Sequence, residues 1–309
     1  MAIELNNLGD CITETKGTGI RACDLASFGD AKGLALLKKG ITKPITNGEV
    51  DFDLASYTLD VKKLNIFPLI GIYDFGQETP ENEVNTSSTG VMTEIRAGKP
   101  QFSFMFDKGG CFHKALYDKR GKSRWDVAIV FESGILMATN SKGDLLKGFD
   151  AGMLSVDTFK LVQGTDPQMS TAKVQFLDAE EFNERFVFIP FTTSGDLDSV
   201  TGVVETAIKL DALAGSTIEA SITSGCNTGD SILDLDDVSN FVLLGTQATA
   251  TTITAVSYNA NTNKYAFTLD NPLVAADTAQ IQLNDGTYKV VEDTVGNLYK
   301  GTSNLVVVS

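Results

Sequence analysis

Apolar and polar positions alternate along most of the chain, and few stretches carry the longer period of a helix. From Val50 onward, Phe52/Leu54 and then Tyr57/Leu59/Val61 alternate and predict strands, while residues 66–73 form the more continuous apolar run of a buried strand. Residues 93–96 and 101–106 predict a strand pair joined by 97–100, with Phe102, Phe104 and Phe106 on one face. Between Gly110 and Gly121, Phe112, Ala115 and Leu116 fall at helical spacing, which makes 107–121 the clearest helix. Residues 127–132 and 135–138 predict a hairpin around Ser133-Gly134. Further strands are expected at 145–149, 153–160, 171–177 and 186–191, with a short helix at 179–182.

Two stretches break this rhythm. Residues 8–40 are interrupted by Gly17, Gly19 and Gly29 and read as an N-terminal arm with one short helical segment at 31–39. There Leu34, Leu36 and Leu37 need an apolar partner, and Lys38 and Lys39 suit a helix C-terminus before Gly40. Residues 76–90 are polar without period and read as a long exposed loop or the tip of an extended hairpin.

Composition divides the chain near Ser194. Up to that point there are 21 basic and 26 acidic residues; beyond it, 4 basic and 14 acidic. All five arginines, the single Trp125, the single His113 and 16 of the 18 phenylalanines lie before the division, whereas the remainder is rich in Thr, Ala, Asn and Asp. The small polar run Thr192-Thr193-Ser194-Gly195 suits a linker. The expected organisation is an extended arm at 1–49, a β-domain at 50–194 and a second β-domain at 195–309. In the last, 252–258 pairs with 265–269, and 279–283 pairs with 288–291 across Asp285-Gly286. Short strands at this spacing suit an immunoglobulin-like sandwich.

The net charge of −15 argues against a general nucleic-acid binder, which needs a basic surface. No apolar run reaches the roughly 18–20 residues of a spanning helix, and Met1-Ala2-Ile3-Glu4-Leu5 lacks the flank of a signal peptide, so neither membrane insertion nor secretion is expected. Cys11, Cys23, Cys111 and Cys226 are scattered without a C-x-x-C pair; neither a zinc site nor a disulfide framework is expected, and a Cys11–Cys23 bridge stays open.

Candidate chemistry is sparse. His113 and Cys111 stand two apart, on different faces of a helix, which disfavours a catalytic pair. Asp230, Asp234, Asp236 and Asp237 are the best calcium candidates, although their spacing departs from the EF-hand and a solvated acidic loop accounts for them better. Gly17-Thr18-Gly19-Ile20-Arg21-Ala22 matches a dinucleotide fingerprint without a preceding strand. Neither Gly109-Gly110 nor residues 143–148 complete a phosphate loop. Glu78, Glu81 and Glu83 sit on the polar stretch. Lys114, Lys119, Arg120, Lys122 and Arg124, with Tyr117 and Trp125, form the one positive patch. No enzyme and no cofactor is expected.

The segments 102–106, 111–117, 127–131, 135–137, 148–153 and 171–176, within a β-domain carrying an arm and a polar hairpin, resemble bacteriophage tail tube and tail ring proteins, including those of crAss-like phages of Bacteroidota. The resemblance covers residues 50–191. It implies a mainly β fold: a tail-tube-like antiparallel sandwich or barrel with one flanking helix, followed by the immunoglobulin-like decoration domain. It further implies a virion protein of the tail or neck, forming hexameric or dodecameric rings with itself, touching adjacent tail or neck proteins and passing genomic DNA through an acidic lumen. Inter-subunit contacts are then expected at Gly76, Glu78, Glu81, Glu83, Leu34 and Leu37. A capsid decoration or head-fibre protein, and a carbohydrate-binding surface adhesin, are the alternatives.

Overall fold

A computed structural model describes residues 3–4, 29–47, 49–50, 54–78, 80–90, 92–161, 167–191, 197, 200–225 and 230–308. Two compact units divide between Val200 and Thr201. The protein is mainly β, and the described residues hold three α-helices.

In the first unit one sheet runs in the order Phe186–Pro190, Gly134–Thr139, Trp125–Phe131, Ala31–Lys38, Ile66–Ile70, all antiparallel. A second runs Phe149–Val156, Ser170–Phe176, Gln101–Phe106, Asp74–Gln77. Phe149 and Asp150 pair with Val127 and Asp126 of the first sheet; beyond a bulge between Ala151 and Met153 the same strand pairs with Ser170–Phe176. The curled sheet thereby folds over on itself. Leu34, Leu36, Val127 and Ile129 from one layer meet Phe102, Phe104, Phe106, Val174 and Phe176 from the other. The rings of Phe149 and Phe176 stack at 4.8 Å between centroids, and Phe182 packs 5.5 Å from Phe149 and 5.7 Å from Phe176.

Four sequence expectations are corrected here. Residues 31–39 are not helical: Ala31–Lys38 is an inner strand, hydrogen-bonded on both sides, and Leu34, Ala35, Leu36 and Leu37 are buried in succession because both faces are covered. A Cβ at Gly33 would lie 2.2 Å from the Leu69 carbonyl oxygen, so glycine is required there. The arm expected at 1–49 therefore gives up this strand and Thr42–Thr46 to the first sheet; residues 5–28 lie outside the described set. Leu34 and Leu37, expected between subunits, belong to this chain's own interior, at 0% and 2% exposure. Finally, the alternation after Val50 conceals a helix, α1 (Leu54–Lys62): Tyr57, Asp60 and Val61 are buried at helical spacing, while Leu59 is exposed.

The other two helices stand where the sequence places them, which makes three helices among the described residues. α2 (Gly110–Asp118) buries Leu116 and sets Phe112 4.9 Å from Phe106. α3 (Ala179–Glu184) is capped by Asp178, whose carboxylate accepts from the Glu180 amide at 2.9 Å.

The second unit is a two-sheet sandwich. One sheet runs Ile253–Asn259, Lys264–Leu269, Thr217–Ser224, Val203–Ala214, Leu298–Lys300, Val291–Glu292; the other runs Phe241–Leu244, Thr278–Leu283, Val306–Val307. Val203–Glu205 against Leu298–Lys300 is the parallel pair in an otherwise antiparallel arrangement. Ile218, Ile222, Tyr265 and Phe267 meet Phe241, Ile281 and Leu283 between the layers. The hairpin 252–269 forms as expected. The pairing of 279–283 with 288–291 does not: Asp285 makes a turn, accepting from the Thr287 and Tyr288 amides, but Thr278–Leu283 pairs instead with Phe241–Leu244 and Val306–Val307.

Candidate functional site

Glu83–Thr86 and Met92–Arg96 pair with each other and with no other described strand, in the register Val84↔Glu94, Asn85↔Thr93, Thr86↔Met92. The strand at 92–96 was expected to pair with 101–106; Gln101–Phe106 instead lies between Asp74–Gln77 and Ser170–Phe176. The polar stretch 76–90 is thus one leg and the tip of a projecting ribbon, closed by the Gly90 amide donating to the Ser87 carbonyl at 2.9 Å. Val84, Met92 and Ile95 are 46%, 66% and 61% exposed. A lone two-stranded ribbon is marginal in water, and three large apolar side chains on it are burial left unmade.

At the ribbon's base the legs cross closely. The Gly98 amide donates to Asn82 Oδ1 at 2.9 Å, and a Cβ at Gly98 would sit 1.7 Å from the Pro80 carbonyl oxygen. The chain enters from Asp74–Gln77, the terminal strand of its sheet, beside exposed Tyr73. Gly76 is in that strand, where a Cβ would meet Ser103 Oγ at 2.5 Å, so its small size serves this chain's own pairing. Glu81 and Glu83 are exposed at the base. Glu78 borders a shallow hollow of about 120 Å³ with Gln101, Ser103, Met153 and Lys173.

The residues singled out for chemistry are dispersed. His113 Nδ1 is 3.2 Å from Ser170 Oγ, and the ring lies against Tyr117 and Phe159. Ser170 is fully buried, so no substrate reaches its hydroxyl. Cys111 is disulfide-bonded, where no disulfide framework was expected and Cys11–Cys23 was the bridge left open; none of the other three cysteines is among the described residues. The acidic quartet does not converge. Asp230 and Asp234 border an open hollow of about 320 Å³ with Asp293, Asn297 and Tyr299. Asp237 caps a short 3₁₀ turn, and hydrogen bonding from Ser239 holds its carboxyl below the ordinary value. Among the described residues no three His, Cys, Asp or Glu side chains group as metal ligands. Residues 17–22 lie outside the described set. Gly109 precedes α2 as its N-cap, and Gly143 serves a turn in which Asn140 Oδ1 accepts from the Asp144 and Leu145 amides.

One cluster had no sequence signal. Lys39 contacts Asp126 and Asp150, Lys147 contacts Glu181, and the Asp150 amide donates to Glu181 Oε2 at 2.6 Å. Burial pushes the Asp126 carboxyl up, against the opposing pull of Lys39 and Lys147. These five charges tie the strand ends at Lys39, Asp126, Lys147 and Asp150 to α3 where the two sheets join.

No protein-family model matches the chain, and no curated protein matches it. A solved structure similar to it is that of surface layer protein SbsC, domains 4-9, at 13% identity and a TM-score of 0.19, over 88% of this chain and 48% of that one. The chain thus spans about half the length of that structure, and at this TM-score the likeness carries no argument about fold or function.

Proposed function

We propose that this chain is a non-enzymatic structural protein of a virion, a subunit that stacks as rings in a phage tail tube or in the connector at its neck. The observation that carries this reading is the ribbon: a projecting hairpin with Val84, Met92 and Ile95 exposed, rooted beside the terminal described strand of a sheet. Burying the half to two thirds of each of those side chains that stands in water contributes roughly 0.7–2 kcal/mol, and a ring repeats the contact at every subunit. The net charge of −15 suits a channel past which DNA slides without adhering, because the 25 cations are outnumbered by 40 acids. Adjacent tail or neck proteins are further partners under this reading.

Electron microscopy and light scattering of the purified chain test it. Rings or tubes with an open channel are expected, and V84N/M92Q/I95N is expected to give a folded species that does not assemble. A wild-type chain that stays monomeric at every concentration, or a triple variant that assembles like the wild type, would overturn it.

A further inference from the structure

α2 ends with its last carbonyls pointing away from the helix, where they need donors. Arg120 Nη1 donates to the Tyr117 carbonyl at 2.8 Å, Arg124 Nη1 to that of Asp118 at 2.8 Å, and Trp125 Nε1 to that of Lys119 at 2.6 Å. Rings support the cations from behind. The Arg120 guanidinium lies 3.5 Å from the Tyr117 ring centroid, Arg124 5.0 Å from Trp125, and Lys119 Nζ 3.7 Å from Phe67. Each arginine is thus held by one hydrogen bond and one ring, and both stay exposed with their other donors in water. Lys114 and Lys122 are exposed in the same stretch, and from 108 to 124 six Lys and Arg stand against the single acid Asp118. Among the described residues no carboxylate pairs with Lys114, Arg120, Lys122 or Arg124.

A guanidinium already fixed in place loses little freedom on binding a carboxylate or phosphate, and its planar fork fits either. The rest of the molecule decides between them. Outside this stretch the chain is strongly acidic and repels a polyanionic duplex, whereas another copy presents an acidic unit: 4 basic and 14 acidic residues follow Ser194. Asp211, Glu219 and Glu205 of that unit have lysine partners. Asp230, Asp234 and Asp236 are exposed, and none of the described ion pairs uses them.

We infer that the basic, ring-backed end of α2 docks the Asp230/Asp234/Asp236 loop of a second copy of this chain. The inference rests on the assembly reading and names one contact that links the copies. Made once per pair of copies, such a contact is head-to-tail and generates a ring when the rotation closes.

Two charge reversals of the full chain test it: K114E/K122E, which spares the arginines that close α2, and D230K/D234K/D236K. Each is checked for native circular dichroism and then followed by sedimentation velocity. The wild type is expected to dissociate as salt rises from about 0.1 M to 1 M. Each variant is expected to need at least ~10-fold more protein to assemble, and an equimolar mixture of the two to recover association. If both variants assemble like the wild type, or the mixture recovers nothing, the docking is overturned while ring assembly stands. If the wild type never associates, the assembly reading falls and the docking with it. Carbodiimide cross-links from Lys122 that stay within one chain in an isotope-mixed sample overturn it in favour of an internal contact. Tight binding of a short DNA duplex that K114E/K122E abolishes overturns it in favour of a nucleic-acid site.

Discussion

Asp126 and Asp150 sit directly opposite each other on adjoining antiparallel strands, and Lys39 contacts both carboxylates. Facing like charges oppose strand pairing, and here they fall where the two sheets of the first unit are joined. Burial would lower the Lys39 ammonium, but its hydrogen bond to Asp150 and the charges of Asp126 and Asp150 outweigh that and raise it. Lys39→Met leaves Asp126, 4% exposed, beside Asp150 with only the more distant help of Lys147. The expected loss is about 2 kcal/mol, below the range for fully buried pairs because Lys39 is partly in water. The sign with pH follows from Asp126. Its folded value is raised, so the penalty for its charge is present above that value and vanishes once it is protonated. The deficit of Lys39→Met should therefore shrink as pH falls from 7 toward 4. Urea unfolding followed by Trp125, the single tryptophan and a residue of this unit, measures it. A deficit that is constant or grows on acidification contradicts the assignment.

The ribbon depends on Gly98. A methyl group there would lie 1.7 Å from the Pro80 carbonyl oxygen, so Gly98→Ala forces the legs apart and breaks the Asn82–Gly98 hydrogen bond. The ribbon makes no sheet with the rest of the described residues, so the damage should stay local. Amide exchange in 82–97 is expected to accelerate while the urea midpoint read by Trp125 moves little. Unchanged exchange in those peptides would show that the crossing does not hold the ribbon.

Much of the first unit was legible because period and burial agree locally. Phe102, Phe104 and Phe106 alternate and are all buried; Ser133-Gly134 joins two strands that pair as neighbours; Phe112 and Leu116 lie on the packed side of α2. The misreadings arise where pairing partners are not specified by the local pattern. Leu34 to Leu37 look helical until strands about 30 and about 90 residues downstream pair with both edges of their strand and make it an inner one. Residues 92–96 lie next to 101–106 in sequence, yet they pair backward with 83–86, and the edge at 74–77 takes the position beside 101–106. The charge cluster draws on residues 39, 126, 147, 150 and 181, a set no spacing rule connects.

Cys111 provides a covalent check. Held in a disulfide, it should resist alkylation by iodoacetamide in denatured, unreduced protein and react after reduction. Peptide mapping reads this directly. Full labelling of Cys111 without reductant, in protein purified under air, would remove the disulfide.

Asp293 is expected to set the acid limit of the second unit. Its carboxylate accepts from the Val295 amide at 3.0 Å, the Asn297 amide at 2.8 Å, Asn297 Nδ2 at 2.8 Å and the Tyr299 hydroxyl at 3.2 Å. Partial burial alone would push its pKa up, yet these donors outweigh that and hold it below the ordinary carboxylate value. A lowered value means that the folded unit favours the charged form. The resulting stability is present above the unfolded value of about 4 and is lost as pH falls through the folded one. Asp293→Asn keeps an acceptor but carries no charge, so it should weaken the unit at pH 7 and flatten the acid limb. Amide exchange in peptides spanning 278–300, followed from pH 7 to pH 3 with correction for intrinsic rates, separates this from events in the first unit. Equal acid sensitivity in Asp293→Asn and the wild type would mean that other carboxylates of the sandwich, Asp270 with its Thr252 and Asn271 donors foremost, govern that limit instead.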